Sequence, residues 1–147
     1  MSLTKQALRL KMIIDNSVPT PDLNRKINQI VGPPFSFLAR YRMGGIGSHR
    51  MNIKSYSKGF EKLLLINSNA LLGNIELRPN GIIVHISQRY HRFSWILPYY
   101  RFSVFQSEGF TFHDNGEFIR FETDAYFEKN KTFLKRMFKA KERLLEQ

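Results

Sequence analysis

The sequence predicts an α+β, mainly β domain: a curved antiparallel sheet or partly open barrel, closed by a C-terminal helix and preceded by a helical arm. Three observations predict it. Two Asn-Gly pairs, Asn80-Gly81 and Asn115-Gly116, each sit between short apolar runs, the arrangement of a tight β-hairpin. Thirteen Phe, six Tyr and one Trp supply the large rings that sheets bury well. The last twenty residues then switch to a helical period.

From the N-terminus, Leu3, Ala7, Leu10 and Ile14 recur at four, three and four residues, with Leu8 and Ile13 beside them, which predicts an amphipathic helix over 3–14. Val18-Pro19-Thr20-Pro21 breaks it, because proline removes a donor and pushes its predecessor to extended backbone. A second short helix, capped by Asp22, runs through Leu23, Ile27, Ile30 and Val31 to the breaker Gly32-Pro33-Pro34. Residues 1–34 thus form a helical arm that either packs on the core or docks a partner, and 35–147 form one β-rich domain.

Strands are expected over Leu71–Leu77 and Ile82–Ile86 around the first Asn-Gly, and over Phe110–Phe112 and Phe118–Phe121 around the second. Phe93, Trp95 and Leu97, then Phe102 and Val104, alternate as strands joined or bent at Pro98. Asp124 is a helix cap, and Phe133, Leu134, Met137, Phe138, Leu144 and Leu145 form one face of a long basic helix over 125–145.

With 147 residues, 42% of them hydrophobic, the chain can bury one core without staples. The absence of Cys excludes disulfides and thiolate metal sites, and a reducing cytoplasm is the expected compartment. Lys5, Arg9 and Lys11 interrupt the N-terminal apolar residues, so no signal peptide is read there, and no window approaches the roughly 18 apolar residues of a membrane span. The expectation is a soluble protein, or one peripheral at the inner face of a membrane.

The net charge of +11 favours anionic partners. Most of the field lies in residues 1–72, where 11 basic residues face 3 acids. Between Arg40 and Lys62, the basic residues Arg40, Arg42, Arg50, Lys54, Lys58 and Lys62 meet a single acid, Glu61, with Tyr41, Tyr56 and Phe60 interleaved. Such a segment is either a solvated surface or a contact for phosphates, with rings for bases or a lipid interface. Gly44-Gly45-Ile46-Gly47-Ser48-His49-Arg50 reads better as a connector than as a phosphate-cradling loop, since it lacks the Gly-Lys-Ser/Thr ending of a Walker loop. Arg89, Tyr90, His91 and Arg92, just after a hairpin strand, are either a ligand rim or an edge guarded by charge.

The four histidines, His49, His85, His91 and His113, match no metal-ligand spacing, and no metal or organic cofactor is implied. No Ser lies in a nucleophile elbow, and no pair of acids is nominated by spacing as acid and base, so an enzyme is not expected.

Hairpin, hairpin and terminal amphipathic helix, over about residues 60–145, resemble the end of pleckstrin-homology-like domains. The resemblance rests on Leu77-Arg78-Pro79-Asn80-Gly81-Ile82-Ile83-Val84, on Phe93-Ser94-Trp95-Ile96-Leu97-Pro98-Tyr99, and on the helix from Phe133-Leu134 to Leu145. It implies seven strands and a closing helix. It also implies a binding or scaffold role of the kind bacterial members have, with Lys54, Lys58 and Arg78 facing a ligand if the early hairpin is the one that holds phosphoinositide heads. The expected function is non-catalytic recognition of an anionic partner, a membrane surface or acidic protein, with Arg40, Arg42, Arg50, Lys54, Lys58, Arg78, Arg89 and Arg92 as anion contacts and Tyr56, Phe60 and Tyr90 as aromatic contacts. Nucleic-acid binding is the alternative. A second alternative is an assembly subunit docked through the N-terminal arm.

Overall fold

The computed structural model describes residues 12–61, 63–64 and 71–145. Eight antiparallel strands, β1 (Ile13–Asp15), β2 (Met51–Tyr56), β3 (Leu72–Arg78), β4 (Gly81–Gln88), β5 (His91–Pro98), β6 (Ser103–Phe105), β7 (Phe110–Asp114) and β8 (Glu117–Phe121), form one sheet in the order β1-β5-β4-β3-β2-β8-β7-β6. The sheet is not closed. Five helices accompany it among the described residues: α1 (Pro21–Val31), α2 (Phe37–Met43), α3 (Lys58–Glu61), α4 (Ala125–Glu128) and α5 (Lys131–Leu145).

β2 holds two meanders together. Its first residues pair with β3, Met51 opposite Gly73 and Asn52 opposite Leu72, and its last pair with β8, Tyr56 opposite Ile119. Within the β8 pairing the register shifts between Ile53 and Ser55, a bulge at Lys54. Neither β1 nor β2 is among the strands expected from the sequence. The helix expected over 3–14 falls on 3–11 outside the described residues, and Ile13 and Ile14 are strand, paired with Trp95 and Ser94 of β5. An open sheet edge offering unpaired backbone groups outweighs the helical spacing of two residues.

Both hairpins form, by different means. Asn115 and Gly116 have φ of 53° and 82°, the two positive angles of a primed turn, so that Asn-Gly pair acts as its sequence predicts. In the first hairpin the register pairs Arg78 with Gly81, leaving Pro79 and Asn80 as the turn, and Pro79 holds φ negative, which a primed turn forbids. Gly81 serves close approach instead: a Cβ there would stand 2.4 Å from the Leu97 carbonyl oxygen and 2.7 Å from Val31 Cγ1.

The expected alternation in β5 gives way to continuous burial from Phe93 to Pro98. One reason is α1, which packs against β5 and buries Ile27 and Val31. The Thr20 hydroxyl, not Asp22, caps α1, accepting from the Leu23 N–H at 3.2 Å with Pro21 opening the helix. The described part of the arm is therefore built into the sheet and its core.

The core runs as a chain of rings. Phe60 meets Trp95 edge-on at 5.1 Å, and Phe102, Phe112 and Phe121 follow one another at about 6 Å. Phe110 carries contacts to Phe127 of α4 and Phe138 of α5. Truncating a ring in such a cluster costs about 3–5 kcal/mol. The long helix expected over 125–145 is broken between Glu128 and Lys131. Asp124 caps α4 as predicted, while buried Asn130 accepts from the His49 N–H at 2.9 Å and donates to the His49 carbonyl at 3.1 Å. Phe133, Leu134 and Met137 of α5 are buried, but Leu145 is exposed.

Candidate anion-binding surface

α2 begins where Ser36, after the two prolines, accepts a hydrogen bond from the Ala39 N–H at 3.2 Å, and it ends at Gly44, whose N–H returns to the Tyr41 carbonyl. None of its seven residues is buried: Phe37 is 86% exposed, Tyr41 82% and Leu38 57%. Arg40 and Arg42 are exposed on the same helix, which carries no acid. Arg136 of α5 fixes its C-terminal end, donating to the carbonyls of Met43 and, at 2.7 Å, Gly45. A cation at those free carbonyls also complements the helix dipole. The sequence holds the signals for this helix, a Ser36 cap and a Gly44 stop, but at seven residues it is too short for periodicity to reveal.

The remaining basic candidates divide by register. Asn52 lies beside Leu72, Leu72 beside Ser87, and Ser87 beside Arg92, so Lys54, Lys58, Arg89, Tyr90 and Arg92 lie towards one end of the sheet. Arg50, exposed just before β2, lies towards the other. Arg89 has φ of 54° at the hairpin tip, Tyr90 is 94% exposed and Arg92 is exposed, its N–H held by the Ser17 hydroxyl at 2.9 Å. Lys54 borders a shallow cavity of about 450 Å³ shared with Arg120 and with the acids Glu108 and Glu122, so its charge is offset locally.

Two expected contacts are corrected and a third is partly covered. Arg78 faces inward, with its side chain 10% exposed: Nε meets Glu76 Oε2 at 2.5 Å, and Nη1 donates to Asn28 Oδ1 and the Gly32 carbonyl, both at 2.9 Å. It ties α1 to the β3–β4 hairpin and is not free for a ligand. Phe60 is 1% exposed under Trp95, because α3 turns it into the core, and Tyr56 is half-buried against that core. Phe60 therefore cannot insert at an edge, while Tyr56 keeps part of its surface exposed. In the Gly44–Arg50 connector several amides are spent internally, Gly45 N–H on Arg40, Ser48 N–H on Ile75 and His49 N–H on Asn130.

Cross-strand pairing assembles one constellation that spacing does not show. Ser94 Oγ lies 3.3 Å from His85 Nδ1, and His85 Nε2 lies 2.9 Å from Glu76 Oε1. The residue order is that of a nucleophilic triad, but with the two imidazole nitrogens exchanged. Ser94, however, is 0% exposed, and the network ties β5, β4 and β3 together and, through Arg78, holds α1. Burial pushes the Glu76 carboxyl up, yet the hydrogen bonds from His85 and Arg78 outweigh it and hold the group below its ordinary value.

Among the described residues no three His, Asp or Glu side chains converge to hold a metal ion, and no helix is long and apolar enough to cross a membrane. No family model matches the chain, and neither a curated protein nor a solved structure matches it.

Proposed function

We propose that the chain is a non-catalytic, pleckstrin-homology-like module that binds the anionic surface of a membrane through α2. One observation carries the surface: a helix with no buried residue presents Phe37, Leu38 and Tyr41 to solvent beside Arg40 and Arg42. Rings and leucine enter the headgroup boundary, while guanidinium groups grip lipid phosphates. The fold reading is supported by β2 to β8, seven strands in two meanders, followed by the α5 helix packed on Phe110. β1, α1 and α2 are additions to that plan.

Co-sedimentation with phosphatidylcholine vesicles, with and without phosphatidylserine, at about 0.15 M salt tests the reading. The protein pellets with the anionic vesicles only. Each basic residue near such a surface contributes about 1 kcal/mol, so the double variant Arg40→Glu/Arg42→Glu loses at least roughly 30-fold in partitioning. Lys54→Glu/Lys58→Glu, away from α2, loses much less. Pelleting that survives reversal of Arg40 and Arg42, with an unchanged thermal transition, removes α2 as the membrane site.

Nucleic-acid binding remains the second reading, favoured by Tyr90 standing 94% exposed between Arg89 and Arg92, where a base can stack. A detached arm would have favoured the assembly-subunit reading; of the described arm, Ile13–Asp15 pair with β5, and Ile27 and Val31 are buried.

A further inference from the structure

A groove of about 590 Å³ lies between α5, the end of α2 and the β3–β4 turn. That volume falls within the range of small-molecule sites, about 300–1,000 Å³. Its walls are largely apolar, with Met43, Leu77, Ala140 and Leu144 among them. Its charge is of one sign: Arg78, Arg136, Lys139 and Arg143 line it and no Asp or Glu does.

Two of those cations are already committed, Arg78 to Glu76 and Arg136 to the carbonyls ending α2. Lys139 and Arg143 are exposed, and no ion pair is found for either among the described residues. They stand four residues apart on α5, alternating with Ala140 and Leu144 along one helical face. Tyr99, which also lines the groove, is 1% exposed, and its buried hydroxyl has no hydrogen-bond partner. The groove thus offers an apolar body and, among the described residues, two uncompensated cations.

We infer that the groove binds one long-chain fatty carboxylate, its alkyl chain against Met43, Leu77, Ala140 and Leu144 and its carboxylate between Lys139 and Arg143. A small polar anion would leave the apolar walls wet, and a neutral alkane would make no use of the charge that Lys139 and Arg143 place at the rim. The inference rests on the membrane reading only for the source of the ligand, since the exposed side chains of α2 stand at the same helix whose end walls the groove.

Titration of the full chain with cis-parinaric acid below its micellar concentration, followed by displacement with palmitate or with hexadecanol, tests it. Saturable binding is expected, displaced by palmitate and not by hexadecanol. Lys139→Glu/Arg143→Glu weakens binding at least about tenfold, as loss of charge-assisted contacts requires. Ala140→Trp fills the groove and abolishes binding; Leu144→Trp, nearer the helix end, does the same without depending on the folding of the first variant. Equal displacement by the alcohol, undiminished binding by both tryptophan variants, or no binding of the probe overturns the inference. Arg40→Glu/Arg42→Glu keeps the monomeric ligand while losing vesicles, so failure of the groove and failure of the membrane reading are told apart.

Discussion

Replacing Arg78 by alanine separates a structural arginine from a ligand-binding one. The wild-type guanidinium, with its side chain 10% exposed, meets one carboxylate, one amide oxygen and one backbone carbonyl drawn from β3, α1 and the residue after α1. Its loss leaves Glu76, partly buried, with His85 as its remaining partner and leaves the Gly32 carbonyl without this donor. Breaking a buried pair by removing one member costs about 3–5 kcal/mol. For a chain of this size each kcal/mol moves the melting midpoint about 2–4 °C, so a fall of roughly 10 °C is expected. Urea unfolding followed by the fluorescence of Trp95, the one tryptophan and 1% exposed, reads the change directly. Arg78→Lys keeps the charge but not the fork, and should recover only part of the loss. A stability change under about 1 kcal/mol, joined to lost vesicle binding, would refute the placement of Arg78 inside the fold.

Two further outcomes follow from the same interior. The Glu76 carboxyl is held below its ordinary value of 4.5, so its contribution is fully present above that pH and is lost as pH falls through the lowered value. The stability gap between wild type and Glu76→Gln should therefore shrink between pH 7 and pH 3 in urea titrations; an equal gap at both would contradict the ionised pairing. Tyr99→Phe removes a buried hydroxyl that has no partner and whose pKa burial raises, so it should leave the free protein as stable or up to about 2 kcal/mol more stable, measured by the same titration. A loss of more than about 1 kcal/mol would show that the hydroxyl is bonded.

Features decided within a few residues were legible. Asn115-Gly116 fixes its own turn because both positive φ angles belong to those two residues, and Asp124 caps α4 through a hydrogen bond to Phe127 three positions on. Composition marked a basic, ring-rich chain, and the hairpin signals together with strand alternation marked the sheet class. The Asn80-Gly81 pair marked a hairpin correctly, but which residues turn was decided by Pro79 beside it and by the space left between Leu97 and Val31.

The site was less legible because exposure is a property of partners. Arg78, Phe60 and Arg40 look alike as members of basic or aromatic runs, yet Asn28 and Gly32 claim the first, Trp95 covers the second and nothing buries the helix of the third. The chain by itself thus determined a basic, cysteine-free, ring-rich β domain with its second hairpin and its terminal helical face, since these depend on composition and on contacts a few residues apart. Only the tertiary structure decided that Ile13 and Ile14 complete the sheet, that β2 joins two meanders, and that α2 meets the outside while Phe60 does not. Each of those rests on pairing or packing between residues far apart along the chain, where local preference carries no information about the partner.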